Sequence, residues 1–164
     1  MESHNIGVQS TAMVTRHLML RVLCNKNSET PVKIEYRSPT LSEYKKLRGL
    51  VGWWETDENS TDTALRNSLF SAVAIEQNTV IGFGRVVGDR GLYYYIQDLI
   101  VDPEFQNKGC GKSLMKELMG YITANAKSGA FVGLMAAKGL EKYYEPFGFK
   151  AREEDAPGMY QIIK

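Results

Sequence analysis

The sequence contains few of the residues from which disulfide or metal-bound scaffolds are built. Only two of its 164 residues are cysteines and only two are histidines. Cys24 and Cys110 lie far apart and form no Cys-x-x-Cys pair, so we expect neither a disulfide scaffold nor a structural zinc site. We therefore expect no metal centre, and the sparse cysteines are typical of a cytoplasmic protein.

The sequence also lacks an excess of either charge and a long hydrophobic run. It has 20 basic and 19 acidic residues, which gives a formal net charge of +1. A nucleic-acid-binding protein usually carries a clear basic excess, and a membrane-spanning helix needs about 18 consecutive apolar residues. We expect neither nucleic acid nor a membrane among the partners, and the length corresponds to a single domain with a sizeable core.

The first 30 residues differ from the rest of the chain. They hold only two acidic residues and show no clear hydrophobic period, and a polar stretch at 25–28 precedes Pro31. One interpretation is a loosely attached extension, or a short extra strand over 17–23 at the domain edge. The other is an acid-poor targeting segment, which we disfavour because no arginine-rich amphipathic face is present. We predict an N-terminal extension over 1–30 and the domain over 31–164.

Hydrophobic periodicity from residue 32 onward predicts an α+β domain. Strands, indicated by alternation or by β-branched and aromatic residues, are predicted over 32–37, 72–76, 79–87, 92–101, 129–135, 149–152 and 159–163. Helices are predicted from a capping box at Thr40 and Glu43 to Gly52, from 62 or 63 to 70, over 109–125 and over 139–146. The order is β-α-α-β-β-β-α-β-α-β-β, a mixed central sheet flanked by helices. The strand at 129–135 is expected to be parallel to its neighbour, because a helix precedes it.

The segment 98–115 carries the strongest chemical signal. Its strand leads into a loop at 106–111 that contains two glycines and opens a helix. Glycine permits a tight turn and a close approach of the backbone to a ligand, and the first amides of a helix have no partner within the helix. The helix dipole adds positive potential, reinforced by Lys108 and Lys112. Together these features predict an anion site suited to a phosphate or pyrophosphate.

Two named phosphate motifs do not match this loop. A Walker A loop would end in Gly111, Lys112 and Ser113 but needs its first glycine where the chain has Gln106. A dinucleotide-binding Gly-x-Gly-x-x-Gly sequence would need its third glycine where the chain has Leu114. A helix start with an incidental pair of glycines is the remaining alternative to a phosphate site.

The Gln-x-x-Gly-x-Gly loop resembles the acetyl-CoA loop of the GCN5-related N-acetyltransferase superfamily (GNAT). It follows a strand that ends in Val-Asp-Pro at 101–103 and precedes an amphipathic helix. Farther along, the sequence KYYEPFGF at 142–149 is similar to the superfamily segment Phe-Tyr-x-x-x-Gly-Phe. The resemblance covers about 32–164. It implies a GNAT-like fold and the transfer of an acetyl group from acetyl-CoA to a primary amine.

The resemblance also implies where the cofactor binds. The pantetheine arm would pair with backbone near the end of the long strand, as a ligand that extends the sheet. The pyrophosphate would lie on the amides of the glycine loop. The cofactor-binding residues implied in this way are Leu99, Ile100, Val101, Gln106, Asn107, Lys108, Gly109, Cys110, Gly111, Lys112 and Ser113.

Two catalytic residues follow from the resemblance, each with a structural alternative. Tyr144 matches the tyrosine that often protonates the leaving CoA thiolate, and a phenol with a pKa of about 10 carries the required proton at pH 7. Its alternative is a packed aromatic. Some relatives carry Glu or His where this chain has Tyr95 and Gln97. Asp98 is the strand's only carboxylate, and it could act as the base through a water if the strand bulges, or it could be structural.

The acceptor is expected to meet the segment between the first two helices. Trp53 and Trp54 precede four acidic residues within 55–62, a stretch without a basic residue. These tryptophans, together with Asp57 and Glu58, could bind a cationic or aromatic amine. The alternative is a solvated acidic loop with one tryptophan docked on the core.

The leading functional hypothesis is an acetyl-CoA-dependent N-acetyltransferase that acts on a small cationic or aromatic amine by direct transfer. One alternative is the same fold acting on a protein or peptide amine. Another is a non-catalytic sensor that holds CoA, favoured by the missing Glu or His on the strand. The sequence is compatible with a monomer or a homodimer.

Overall fold

A computed structural model describes residues 20–21 and 32–163 of the chain. These residues form one mixed sheet of six strands in the order in which they occur along the chain. The strands are β1 (Leu20–Arg21), β2 (Lys33–Glu35), β3 (Phe70–Glu76), β4 (Thr79–Gly88), β5 (Tyr93–Val101) and β6 (Phe131–Gly133). The helices are α1 (Leu41–Leu50), α2 (Glu58–Arg66), α3 (Cys110–Asn125) and α4 (Glu141–Tyr144), with 3-10 turns at Pro103–Phe105 and Glu145–Phe147.

The mixed sheet and its flanking helices confirm the predicted fold class. β1 to β5 pair in antiparallel fashion, and β6 pairs with β5 in parallel, as predicted for a strand that follows a helix. Thr40 and Glu43 form the predicted capping box at the start of α1. Of the proposed edge strand over 17–23, the structure describes only β1, which pairs with β2; the rest of 1–30 lies outside the described residues.

The helices cover the two faces of the sheet. On one face, α1 and α2 contribute Tyr44, Leu47 and Leu65 to a buried cluster with Val73 and Phe83 of the sheet. On the other face, α3 packs its apolar stripe against the sheet, with Leu114 in one buried cluster and Leu118 in another. The sheet is therefore buried on both sides along β3, β4 and β5.

Helix α2 begins earlier than predicted. Its first residue is Glu58 and not 62 or 63, and it ends at Arg66. The side chain of Asp57 accepts a hydrogen bond from the backbone amide of Ser60 and so caps the helix. The acidic stretch is thus not only a connection between the helices, because its first half supplies the cap and first turn of α2.

The prediction of two closing strands, at 149–152 and 159–163, was wrong within the part of the chain that the structure describes. Residues 150–163 form no strand there, although the backbone amide of Ala156 closes a turn onto the carbonyl of Glu153 at 3.0 Å. Met159 and Ile163 are 89% and 82% exposed. An isolated two-stranded hairpin is at best marginally stable in water. The β-propensity of these two segments is therefore not sufficient to form strands without a further strand to pair with.

Among the described residues, no helix is long and apolar enough to cross a membrane. No group of three or more metal-ligating side chains occurs in residues 20–21 and 32–163.

Candidate functional site

β5 and β6 separate partway along their length and leave a cleft. They pair only at Tyr93–Phe131, Tyr94–Val132 and Tyr95–Gly133. β6 ends at Gly133, whereas β5 continues to Val101. Beyond Tyr95, this edge of β5 has no strand partner among the described residues, so its backbone amides and carbonyls are available to an extended ligand.

A β-bulge at Asp98 changes which side chains of β5 face each side of the sheet. Ile100 pairs with Phe83, and Gln97 pairs with Arg85, so two residues of β5 oppose one residue of β4. Asp98 has a φ of 54°, in the left-handed region. Before the bulge Ile96 packs in the cluster with α3, and after it Ile100 packs in the cluster with α1 and α2.

The bulge directs the Asp98 carboxylate into a buried network on the α1 and α2 side. The side chain of Asp98 is 2% exposed. Its Oδ2 accepts hydrogen bonds from Tyr44 Oη at 2.9 Å and from Arg85 Nε at 2.7 Å. Arg48 Nη1 lies 3.9 Å from Oδ1. Burial and the neighbouring Asp98 charge raise the pKa of the Tyr44 phenol, so Tyr44 is a hydrogen-bond donor at neutral pH.

This network bears on the expected role of Asp98 as a base. A role as base required a bulge in the strand, and the bulge is present. The carboxylate, however, is enclosed by one phenol and two guanidinium groups, and it would have to exchange these contacts to take a proton from a substrate. Such a carboxylate is more suited to anchoring neighbouring elements than to repeated proton transfer.

The glycine loop has the geometry of an anion site. Asn107 and Gly109 have φ angles of 58° and 85°, and Gly109 caps α3 without any side-chain hydrogen bond. A helix start without a side-chain cap suits an anionic ligand. Lys108 and Lys112 are exposed beside this helix start. Gln106 Nε2 donates to the carbonyl of Val101 at 3.0 Å and so links the loop to the end of β5.

Cys110, by contrast, points into the protein. It is 2% exposed and belongs to the buried cluster beneath α3. The position can present its backbone amide to a ligand, whereas its thiol is part of the core.

Helix α4 carries two adjacent tyrosines, Tyr143 and Tyr144. Tyr144 is 8% exposed and packs in a buried cluster that includes Tyr94 and Ile96. The rings of Tyr143 and Tyr144 meet edge to face with centroids 4.9 Å apart. Burial raises the pKa of the Tyr144 phenol above its ordinary value of 10.0. Its hydroxyl makes no hydrogen bond within the described part of the chain, and at neutral pH it keeps a proton to donate.

Tyr143 is a site residue that sequence reasoning did not select. A Cβ atom placed on Gly111 would lie 2.9 Å from Tyr143 Oη and 3.6 Å from Val101 Cγ2. The Tyr143 hydroxyl therefore lies against the first turn of α3 and near the end of β5. The sequence holds one indication of this role, since it has Tyr-Tyr where the family segment has Phe-Tyr. The additional hydroxyl of Tyr143 needs a polar environment or contact within the fold.

The segment 51–57, here called the acceptor segment, is organised by a cation of the chain itself. The Arg48 guanidinium lies 5.1 Å from the Trp53 ring centroid and 5.2 Å from that of Trp54. Arg48 Nη2 also donates to the Trp54 carbonyl at 2.9 Å. Trp53 and Trp54 remain 36% and 64% exposed, so part of each side chain is accessible to an acceptor.

The two acidic residues expected to meet the acceptor have structural partners. Asp57 caps α2, and Glu58 forms an ion pair with Lys45. Their role in acceptor binding stays a prediction. The buried partners of Asp98 were missed as well, although Tyr44 and Arg48 stand four residues apart on the buried stripe of α1, a spacing that places them on one face.

The chain is similar to one family model and to several curated proteins. The family model for the acetyltransferase (GNAT) domain matches residues 54–157. The uncharacterised N-acetyltransferase ycf52 of Pyropia yezoensis is 24% identical over 164 residues, covering 97% of this chain and 93% of that protein. Histone acetyltransferase TAP1 of Glycine max is 29% identical over 121 residues, covering 67% of this chain and 52% of that protein.

A solved structure gives a similar result for the fold. A protein of unknown function from Staphylococcus aureus, described as a probable acetyltransferase, is 32% identical with a TM-score of 0.76. The match covers 80% of this chain and 99% of that one.

Proposed function

This chain belongs to the GNAT acetyltransferase family, and we propose that it transfers the acetyl group of acetyl-CoA to the primary amine of a small cationic or aromatic molecule. One observation carries the proposal, namely that the edge of β5 beyond Tyr95, which has no strand partner among the described residues, adjoins the start of α3. An unpaired strand edge suits an extended amide-containing arm, and a helix start suits a pyrophosphate. Acetyl-CoA presents both groups in that order.

The cofactor is held in this proposal mainly by backbone. The arm pairs with Leu99, Ile100 and Val101, and the pyrophosphate lies on the amides of 106–113. The side chain of Gln106 supports this assignment, because it braces the loop against β5 and does not project from it. Substitution of the exposed side chains of this loop should therefore reduce the affinity for acetyl-CoA less than a substitution that alters the backbone of the loop.

The reaction is direct transfer. The neutral amine attacks the thioester carbonyl, a C–N bond forms, and the oxyanion accepts a hydrogen bond from a β5 amide such as that of Val101. The C–S bond then breaks, the thiolate takes its proton from Tyr144 Oη, and solvent returns a proton to the phenolate. Burial raises the Tyr144 pKa and keeps the phenol protonated at neutral pH. We assign deprotonation of the amine to solvent and not to Asp98, because the Asp98 side chain is 2% exposed and its Oδ2 already accepts two hydrogen bonds.

Two alternative functions have specific support. The Glycine max relative named as a histone acetyltransferase favours a protein amine as the acceptor. The absence of Glu and His at Tyr95 and Gln97 favours a sensor that binds CoA without turnover.

The proposal is tested by following thiol release from acetyl-CoA with three acceptor groups: small cationic amines, aromatic amines and lysine-containing peptides. Release with the small amines is the expected result.

The Tyr121→Phe variant is a control for the loss of a tyrosine hydroxyl in Tyr144→Phe, and it should release thiol at the wild-type rate. Tyr121 stacks on Phe70 with ring centroids 4.9 Å apart. Release with peptides alone would identify a protein acceptor. Calorimetric binding of acetyl-CoA without any release would identify a sensor, and absence of binding would overturn the proposal.

A further inference from the structure

Asp98 joins separate elements of the site through one buried carboxylate. It stands on β5, and its partners come from α1 through Tyr44 and from β4 through Arg85. A second residue of α1, Arg48, places its guanidinium between this carboxylate and the acceptor segment. One anionic group therefore connects β5, which borders the cofactor cleft, to α1, which precedes the acceptor segment.

The two arginines extend these contacts to both sides of the acceptor segment. Arg48 donates to the Trp54 carbonyl and stacks against both tryptophan rings. Arg85 Nη1 donates to the carbonyl of Ala64 in α2 at 2.8 Å. The segment is thus connected to Asp98 directly through Arg48, and the helix that follows the segment is connected to Asp98 through Arg85.

Asp98 also has an unusual backbone conformation, within the part of β5 that borders the cleft. Its φ of 54° is uncommon for a residue with a side chain, and such conformations persist where surrounding contacts hold them. The side-chain contacts of Asp98 are well suited to do so, because they are buried and charge-assisted. The orientation of the backbone from Leu99 to Val101 follows from this one residue.

We propose that Asp98 is a positioning residue whose contacts with Arg85, Tyr44 and Arg48 hold the β5 bulge and the acceptor segment in a fixed relative arrangement. This inference rests on the proposed acetyl transfer, since the two parts correspond to its donor and its acceptor. It gives Asp98 a role in geometry that requires no proton exchange with the substrate.

The Asp98→Asn variant is the direct test. Asparagine keeps the size of the side chain but leaves two guanidinium groups without a compensating charge. The KM for acetyl-CoA should rise and kcat should fall, each by about 10-fold, because small displacements of reacting groups are costly. The pH profile of the remaining activity should keep its wild-type shape. Loss of one limb of that profile would instead identify Asp98 as the base and overturn the proposal.

A matched control is available at the opposite end of β5. Asp89 accepts hydrogen bonds from the backbone amides of Gly91, Leu92 and Tyr93 in the turn before this strand. Asp89→Asn should lower the melting temperature and leave both KM values unchanged. If Asp98→Asn changes only the melting temperature as well, its role is merely structural and the proposal fails.

Two milder variants keep the test decisive if Asp98→Asn does not fold. Tyr44→Phe removes one hydrogen bond from the carboxylate and should raise the KM for acetyl-CoA about 3-fold. Arg48→Lys keeps the charge but loses the planar group that stacks on the tryptophans, so it should raise mainly the KM for the amine. Wild-type KM values in both variants would overturn the proposal.

Hydrogen exchange supplies a readout that does not depend on turnover. In Asp98→Asn, the amides of β5 that pair with β4 beside the bulge, and the Trp53 amide that donates to the Arg48 carbonyl, should exchange faster than in the wild type. In Asp89→Asn they should not. A wild-type protein that fails to bind acetyl-CoA would remove the proposed function and this inference together. A wild type that turns over, with unchanged exchange and KM in Asp98→Asn, would remove the inference alone.

Discussion

Two neighbouring tyrosines of α4 lie in different surroundings. Tyr144 is enclosed by apolar side chains, and burial raises its pKa. Tyr143 places its hydroxyl against Gly111 at the start of α3. Residue type and spacing identified Tyr144 as the candidate acid, but they could not show which of the two hydroxyls lies against the glycine loop. That distinction depends on how α4 packs against α3 and β5.

At the residue scale, Tyr144→Phe should lower kcat about 100-fold, because the leaving thiolate loses its proton donor. The affinity for acetyl-CoA, measured by calorimetry, should stay within about 2-fold, since the cofactor is held by backbone elsewhere. Burial raises the Tyr144 pKa and keeps the phenol protonated at neutral pH, so its deprotonation should not depress wild-type kcat there. The control is Tyr143→Phe, which should keep kcat within about 3-fold of the wild type. The reverse pattern would assign the acid to Tyr143.

At the scale of elements, the start of α3 is shaped by two glycines with different requirements. Gly109 adopts a φ of 85°, which favours glycine for conformational reasons. Gly111 lies within the helix, and its requirement is space, because a Cβ atom there would approach Tyr143 Oη to 2.9 Å. The loop motif was recognisable from local sequence alone, whereas the contact between Gly111 and Tyr143 joins residues far apart in the chain.

Gly111→Ala should therefore raise the Kd for acetyl-CoA about 10-fold and destabilise the fold by about 1–3 kcal/mol, because the added methyl group displaces the first turn of α3 or Tyr143. Combining it with Tyr143→Phe removes the opposing oxygen and should restore most of both losses, which a double-mutant cycle measures. Gly120→Ala is the matched control, since Gly120 is exposed on the same helix with nothing within 4 Å of its added Cβ. It should stabilise the protein by about 0.5–1 kcal/mol and leave binding unchanged. Equal effects of both alanines would contradict the steric argument.

The elements also show where local pattern is sufficient and where it is not. The capping box of α1 and the apolar stripe of α3 were predictable, because each depends on residues within a few positions of one another. The start of α2 was missed because Asp57 was treated as an acceptor ligand and not as a helix cap. The segments at 149–152 and 159–163 have β-propensity, but a strand requires a partner ladder that the described residues do not supply.

At the scale of the whole molecule, partly buried carboxylates make stability depend on pH. Hydrogen bonds from Lys33 and Arg37 lower the pKa of Glu35, and Arg37 lowers that of Glu43, both from 4.5. A carboxyl whose pKa is lower in the folded state contributes stability above its unfolded pKa and loses it as the pH falls through the folded value. These groups therefore stabilise the fold at neutral pH and stop doing so in acid.

The free energy of unfolding in urea should accordingly be level from about pH 6 to 7 and should decrease as the pH falls below about 4.5. Glu43→Gln should lower stability at pH 7 and reduce this dependence, because the pairing with Arg37 is lost. Glu154→Gln makes the same change in net charge at an exposed site with no ion pair among the described residues, and it should leave the curve unaltered. A wild-type stability that rises on acidification would contradict the assignment.

The sequence by itself determined the features that arise from nearby residues. These are the order of elements from β2 to α4, the glycine loop that opens α3, the tyrosine segment of α4 and, through their combination, the GNAT family. Short-range hydrogen bonding, φ preferences and hydrophobic period act over a few positions, and a linear pattern records them.

Only the tertiary structure decided the bulge at Asp98, the carboxylate network, the cation beneath the tryptophans and the contact of Tyr143 with Gly111. All but the contact of Arg48 with the tryptophans depend on residues far apart in the chain. A single inserted residue in β5 exchanges the faces of every side chain beyond it. The Asp98 carboxylate consequently lies among Tyr44, Arg48 and Arg85, and the acceptor segment is organised by Arg48. Such contacts follow from how sheet and helices pack together, which no local pattern specifies.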